Sequence, residues 1–113
     1  MLAILYYPSG DTGPVAEYLK ALAIQRPKTY VKLILDLETL GSEGLRSRRL
    51  SVRPLGEGLW ELKRFYEGIQ YRIFFGVWNR AAWLLHNIEK KSARTPKDDL
   101  ELARKRLREV VAK

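Results

Sequence analysis

Apolar residues recur in two rhythms along the chain. Val15, Tyr18, Leu19 and Leu22 fall at i, i+3, i+4 and i+7, which predicts a helix that opens at Thr12-Gly13-Pro14 and runs to about Ile24. Pro27 starts a second helix, in which Val31, Ile34, Leu35 and Leu37 to Leu40 supply a broad apolar stripe before Gly41, Ser42 and Gly44 stop it. Ahead of both, Leu2 to Tyr7 is a short apolar run ended by Pro8-Ser9-Gly10-Asp11, which suits a strand and a loop. Two adjacent helices make a hairpin, expected first as a lid on a sheet and second as a partner-binding surface.

The rhythm changes between Gly56 and Lys91. Three runs rich in aromatic and aliphatic residues are separated there by Glu67-Gly68 and Asn79-Arg80, breaks too short for a crossover helix, so a three-stranded antiparallel meander is predicted. Alternation puts Leu59, Glu61, Lys63 and Phe65 on one face of the first strand and Trp60, Leu62 and Arg64 on the other. On the second strand Tyr71, Ile73, Phe75 and Val77 oppose Arg72, Phe74 and Gly76; on the third, Ala81, Trp83 and Leu85 oppose Ala82, Leu84 and His86. A short edge strand around Ser51 to Pro54 precedes the meander, since charges and proline blunt an exposed edge.

A last helix begins at Thr95-Pro96-Lys97-Asp98, with Thr95 as N-cap and Pro96 in the first position, and Leu100, Ala103, Leu107, Val110 and Val111 give its apolar stripe. The expected fold is one α/β (α+β) domain over residues 1–113: a small meander sheet with an N-terminal strand, a helical hairpin and a C-terminal helix.

Charge sharpens this picture. The net charge is +8, and it is uneven: residues 1–45 hold four basic against five acidic side chains, residues 46–72 seven against three, and residues 89–113 nine against five. An excess confined to the second part favours a polyanionic partner, nucleic acid foremost, although an acidic protein would feel the same field. Cysteine is absent and there is one histidine, which removes disulfide scaffolds, thiol catalysis and multi-His metal sites, so no cofactor or metal is expected. No apolar run approaches the roughly 18 residues of a membrane span, and the start of the chain lacks a basic signal region, so a soluble cytoplasmic protein is expected.

The cations fall in groups. Arg46, Arg48, Arg49 and Arg53 precede the meander and suit either solvated surface or phosphate contact. Arg72 stands in an otherwise apolar strand. An always-charged guanidinium there must reach solvent at a cleft or find a carboxylate, with Glu61 and Glu67 the obvious candidates. On the last helix Lys97, Arg104 and Arg108 lie within about 40° of one another, a border that snorkels over a sheet edge or grips a phosphate backbone. Tyr66, Tyr71 and Trp78 suit core packing, with base stacking as the alternative.

Taken in order, Pro54-Leu55-Gly56-Glu57-Gly58-Leu59-Trp60-Glu61-Leu62-Lys63, Tyr71-Arg72-Ile73-Phe74-Phe75, Leu85-His86, Lys90-Lys91 and Thr95-Pro96 resemble the RelE/HigB superfamily of bacterial toxins, especially its phage-derived HigB-like branch. The resemblance implies a compact toxin held inactive by a cognate antitoxin, commonly of helix-turn-helix type, in a hetero-oligomer. It also implies metal-independent cleavage of mRNA, commonly on the ribosome. Such cleavage needs the ribose 2′-OH deprotonated, the phosphorane stabilised and the 5′-oxygen protonated. By this resemblance Arg72 and Lys63 would hold the phosphate, and Lys90 or Lys91 would donate the proton, with Arg94 as a second acid or phosphate-binding candidate. Glu61 or His86 would be the base, although Glu61 shares a strand face with Lys63 and is open to ion pairing. A ParE-like gyrase inhibitor of the same fold and an inactive RNA- or protein-binding domain are the alternatives.

Overall fold

A computed structural model describes residues 1–90 and 96–112. Strands β1 (Ala3–Tyr6), β2 (Ser51–Gly56), β3 (Leu59–Tyr66), β4 (Ile69–Trp78) and β5 (Ala81–Lys90) form one sheet in the order β1-β5-β4-β3-β2. The helices are α1 (Pro14–Gln25), α2 (Pro27–Glu43) and α3 (Lys97–Val111). The mixed α/β architecture expected from the sequence is the one observed.

The meander follows from its turns. Glu57-Gly58, Glu67-Gly68 and Asn79-Arg80 all have positive φ at both positions. Paired left-handed residues make the tight turn whose twist matches antiparallel strands, so three successive hairpins lay β2 to β5 side by side. β2 is the blunted edge foreseen at Ser51 to Pro54, extended to Gly56. The other edge is β1, which runs parallel to β5.

Each sheet face carries its own core. The helical hairpin covers one face, where Val15, Leu19, Leu22, Leu33, Leu37 and Leu40 meet Leu62, Tyr71, Ile73, Phe75, Ala82 and Leu84. α3 covers part of the other, where Ala103, Leu107 and Val110 meet Leu59, Phe74 and Leu85. Each fully buried leucine on these faces contributes about 1.5–3 kcal/mol relative to exposure.

Three sequence expectations are corrected. α2 passes through Gly41 and ends at Glu43, capped by Gly44 at φ 79°. A side chain at 41 would press on the Leu2 carbonyl, and Gly41 accepts a backbone hydrogen bond from Leu2 at 2.7 Å, so this glycine docks the first strand instead of ending the helix. The buried stripe of α2 runs through Thr29, Leu33, Asp36, Leu37 and Leu40, which leaves Val31 and Leu35 exposed. Asp36 joins the core because Arg64 on β3 donates to both its oxygens, a bidentate pair that keeps the Arg64 guanidinium charged and holds its pKa up.

The third correction concerns β5. Phe74 pairs with His86 but Phe75 pairs with Leu84, so Leu85 is an extra residue on β5. This bulge breaks strict alternation and turns His86 away from the hairpin face to the α3 face, beside Leu85. Arg106 of α3 donates to the Leu85 carbonyl at 2.7 Å, satisfying an acceptor at the bulge. The expected Thr95 N-cap lies outside the described residues; Pro96 occupies the N-cap position of α3, with Asp98 and Asp99 in its first turn.

Candidate functional site

The register assembles three rows on the sheet face that α3 only partly covers. Arg53, Glu61, Phe74 and His86 form one row across β2 to β5, Ser51, Lys63, Arg72 and Ile88 the next, and Phe65, Gln70 and Lys90 the last. Residues in one row share a face with side-chain roots about 5 Å apart. Five of the residues singled out in the sequence, Glu61, Lys63, Arg72, His86 and Lys90, therefore lie together although the first and the last are 29 positions apart in the chain. Lys91 and Arg94 lie outside the described residues.

The centre of this face is a charge ladder. Arg72 Nη1 donates to Glu61 Oε2 at 3.3 Å, and Arg53 Nε donates to Glu61 Oε1 at 3.0 Å. Glu61 and Arg72 are both completely buried. Of the two options open to Arg72, a cleft or a carboxylate, the structure shows the carboxylate, and the carboxylate is Glu61. Arg72 Nη2 also donates to Gln70 Oε1 at 2.9 Å. With both residues sealed in the sheet, neither presents an open donor or acceptor to a phosphate approaching from solvent.

Around the ladder the face stays positive. Arg53, half exposed, and Lys63 and Lys90, half-buried, rim it; with Arg72 they set four cations against the carboxylates of Glu61 and Asp99. β2 enters the sheet with Ser51 opposite Lys63, so the connection carrying Arg46, Arg48 and Arg49 reaches the same end. Arg46 and Arg48 are exposed there, and Arg49 makes a loose ion pair with Glu43 at 3.5 Å.

One polar pair sits at the border between this face and α3. His86 Nε2 and Asp99 Oδ1 are 2.7 Å apart, and the imidazole stacks on Phe74 with 6.0 Å between centroids. A carboxylate only accepts, so Nε2 is the donor, and in the neutral ring the lone pair then sits on Nδ1. The carboxylate occupies the first turn of α3, where the helix dipole favours a negative charge. Asp99 is a site residue that the sequence reading passed over. Its only signal was as a helix-start residue, and nothing local connects position 99 to position 86.

Other candidates belong elsewhere. Arg104 donates to the carbonyls of Leu55 and Gly56 at 2.7 and 2.9 Å, snorkelling from α3 to the β2–β3 turn. Arg108 is exposed at the opposite end of the sheet, lining a cavity of about 420 Å³ with Trp78, Leu107 and Val111. Tyr71 is buried and accepts a hydrogen bond from Arg26 at 2.7 Å, while Tyr66 lies on the hairpin side with the Lys32 ammonium 4.9 Å from its ring centre.

Behind the site, Arg26 also grips both oxygens of Glu89 at 2.8 and 3.0 Å, and Tyr18 donates to the same carboxylate. The Glu89 bond holds the Arg26 pKa up, and burial together with that carboxylate pushes the Tyr18 phenol up. This network ties the α1–α2 junction to the residue preceding Lys90. Among the described residues no three His, Asp or Glu side chains converge as a metal site would require, and no helix is long and apolar enough to cross a membrane.

A family model described as phage derived protein Gp49-like (DUF891) matches residues 17–108. No curated protein and no solved structure matches the chain.

Proposed function

The chain belongs to the phage-derived Gp49-like family, which is toxin-like and related to RelE and HigB, and from that premise we propose that it is the toxin of a toxin–antitoxin pair and a metal-independent endoribonuclease acting on mRNA. The observation that carries this reading is the His86–Asp99 hydrogen bond at the edge of a cation-rimmed sheet face. An imidazole oriented by a carboxylate is the arrangement that makes histidine an effective proton acceptor.

In this reading RNA lies across the α3 side of the sheet. His86 Nδ1 takes the proton of a ribose 2′-OH, the 2′-oxygen bonds to phosphorus, and the bond from phosphorus to the 5′-oxygen breaks. The products are a 2′,3′-cyclic phosphate and a 5′-hydroxyl. Lys63 and Lys90 flank the phosphate, and the ammonium of Lys90 or of Lys91 supplies the proton to the leaving oxygen. Arg72 acts from beneath as a positioning residue: it fixes Glu61 and Gln70 in the floor of the face. Arg46, Arg48, Arg49 and Arg53 extend the phosphate track at the β2 entry. A cognate antitoxin, mRNA and the ribosome are the partners this function requires.

Inducing the chain without its antitoxin is expected to arrest growth, with cuts in messages mapped by primer extension. Asp99→Asn and His86→Gln should relieve the arrest while the protein stays folded. Normal growth at confirmed expression would sink the toxin reading.

One observation favours a second reading, a toxin of the same fold that does not cleave RNA: Glu61 and Arg72 neutralise each other inside the sheet. In that case induction arrests growth with intact messages, and a gyrase inhibitor would leave broken DNA.

A further inference from the structure

In the last row of the open face, Phe65–Gln70–Lys90, Lys90 serves the chemistry above, while Phe65 and Gln70 take no part in it. Phe65 is 65% exposed on β3, an aromatic ring left in solvent beside Lys63. Its cross-strand neighbour is Gln70, whose own neighbour on β5 is Lys90. Elsewhere on this face the large apolar side chains Leu59, Phe74 and Leu85 are buried under α3, so nothing in the core requires an aromatic at position 65.

Gln70 is oriented from beneath. Arg72 Nη2 donates to its side chain at 2.9 Å, and a guanidinium has only donors, so the atom it meets is the amide oxygen. The –NH2 end of Gln70 therefore points away from Arg72, and it carries donors only. An exposed ring beside an oriented pair of N–H donors, between two lysines, is the composition of a site for one unpaired base: a π-face to stack on, an edge reader, and cations for the flanking phosphates.

We propose that Phe65 and Gln70 form a base-recognition subsite in single-stranded RNA, with Phe65 as stacking platform and the Gln70 amide donating to acceptor atoms on the edge of the stacked base. The subsite rests on the ribonuclease reading and adds to it the residues that set base preference. Its buried support is Arg72, which gives an arginine with no solvent exposure a part in the binding face. Gln70→Glu tests this directly. Glutamate keeps an oxygen for Arg72 but turns an acceptor outward in place of the donors.

The experiment measures fluorescence anisotropy of labelled oligo(A), oligo(C) and oligo(U) with the full chain carrying Asp99→Asn, so that the RNA is not cut, over a range of salt. Phe65→Ala is expected to weaken binding about 5- to 100-fold with an unchanged salt slope, because it removes stacking and no charge, and Phe65→Trp should restore it. Lys63→Ala should weaken all oligomers evenly and flatten the salt slope. Gln70→Glu should reorder the three bases. Equal affinities and an unchanged base order in Phe65→Ala and Gln70→Glu, with the parent binding well, would overturn the subsite and leave the ribonuclease reading standing. Loss of antitoxin binding in Phe65→Ala with RNA binding intact would assign the ring to a protein partner and also overturn it. No binding of any oligomer by the parent would overturn both.

Discussion

Arg72 donates to Glu61 across the β3–β4 ladder, and neither side chain reaches solvent. Removing one member leaves the other charged and buried, which is far more costly than the pair is worth. Arg72→Ala is therefore expected to destabilise the fold by about 3–5 kcal/mol in urea titrations. Replacing both, Arg72→Met with Glu61→Leu, should cost less than Arg72→Met alone, a coupling that a double-mutant cycle reads out. Loss of toxicity in Arg72→Ala thus reports on the active site only when the variant's stability has been measured beside it.

Asp99→Asn separates orientation from folding. The asparagine amide can donate to the ring, which favours the wrong imidazole tautomer, while the bond it replaces lies at a partly buried boundary and contributes only about 0.5–1.5 kcal/mol. RNA cleavage is expected to fall by roughly 10²- to 10⁴-fold with a thermal midpoint close to the parent's. Cleavage at the parent rate in this variant would remove His86 from the mechanism.

Gly76 sets how closely α3 approaches the sheet. A Cβ at this position would sit 2.3 Å from Leu107 Cδ1 and 3.1 Å from Cδ2, inside contact distance of a buried side chain. Gly76→Ala should cost about 1–3 kcal/mol through overpacking. Combined with Leu107→Ala the two penalties should fall short of their sum, because the second change removes the atoms in the way. Chemical denaturation of the three variants checks this.

Alkaline stability should track Tyr18. Burial and the Glu89 carboxylate raise its folded pKa above the ordinary value of 10.0. The folded state then holds the phenolic proton more tightly than the unfolded chain does. The resulting stability is intact below pH 10 and declines as the pH climbs above it. Tyr18→Phe removes that titration, so its stability should fall less steeply than the parent's above pH 10, at the cost of one hydrogen bond at neutral pH. Urea midpoints collected across that range would show the two curves converging.

What the chain itself determined is what neighbouring residues decide. The turn pairs Glu67-Gly68 and Asn79-Arg80 specify hairpins within a few positions, and the helical spacing of Val15, Leu19 and Leu22 specifies the buried side of α1. The meander, the edge strand and the common face of Glu61 and Lys63 followed from turn chemistry and alternation alone, and the strand register then put Arg72 on that same face. The basic character of that region was equally visible, since charge is a property of composition.

Packing between distant segments decided the rest. One extra residue at Leu85 shifts the parity of β5 and brings His86 to the α3 face beside Asp99, and Arg106 of α3 donates to the carbonyl at that bulge. Whether Arg72 meets water or a carboxylate depends on what lies over and beside it. That is a question of desolvation, and a strand read by itself cannot answer it. Val31 and Leu35 fit the helical period as well as Leu33 and Leu37 do, and the rotation of α2 was settled by the Asp36–Arg64 pair and the sheet beneath it. Local rules fix which elements form; the three-dimensional partners fix which side chains are left facing solvent, and those are the ones available for chemistry.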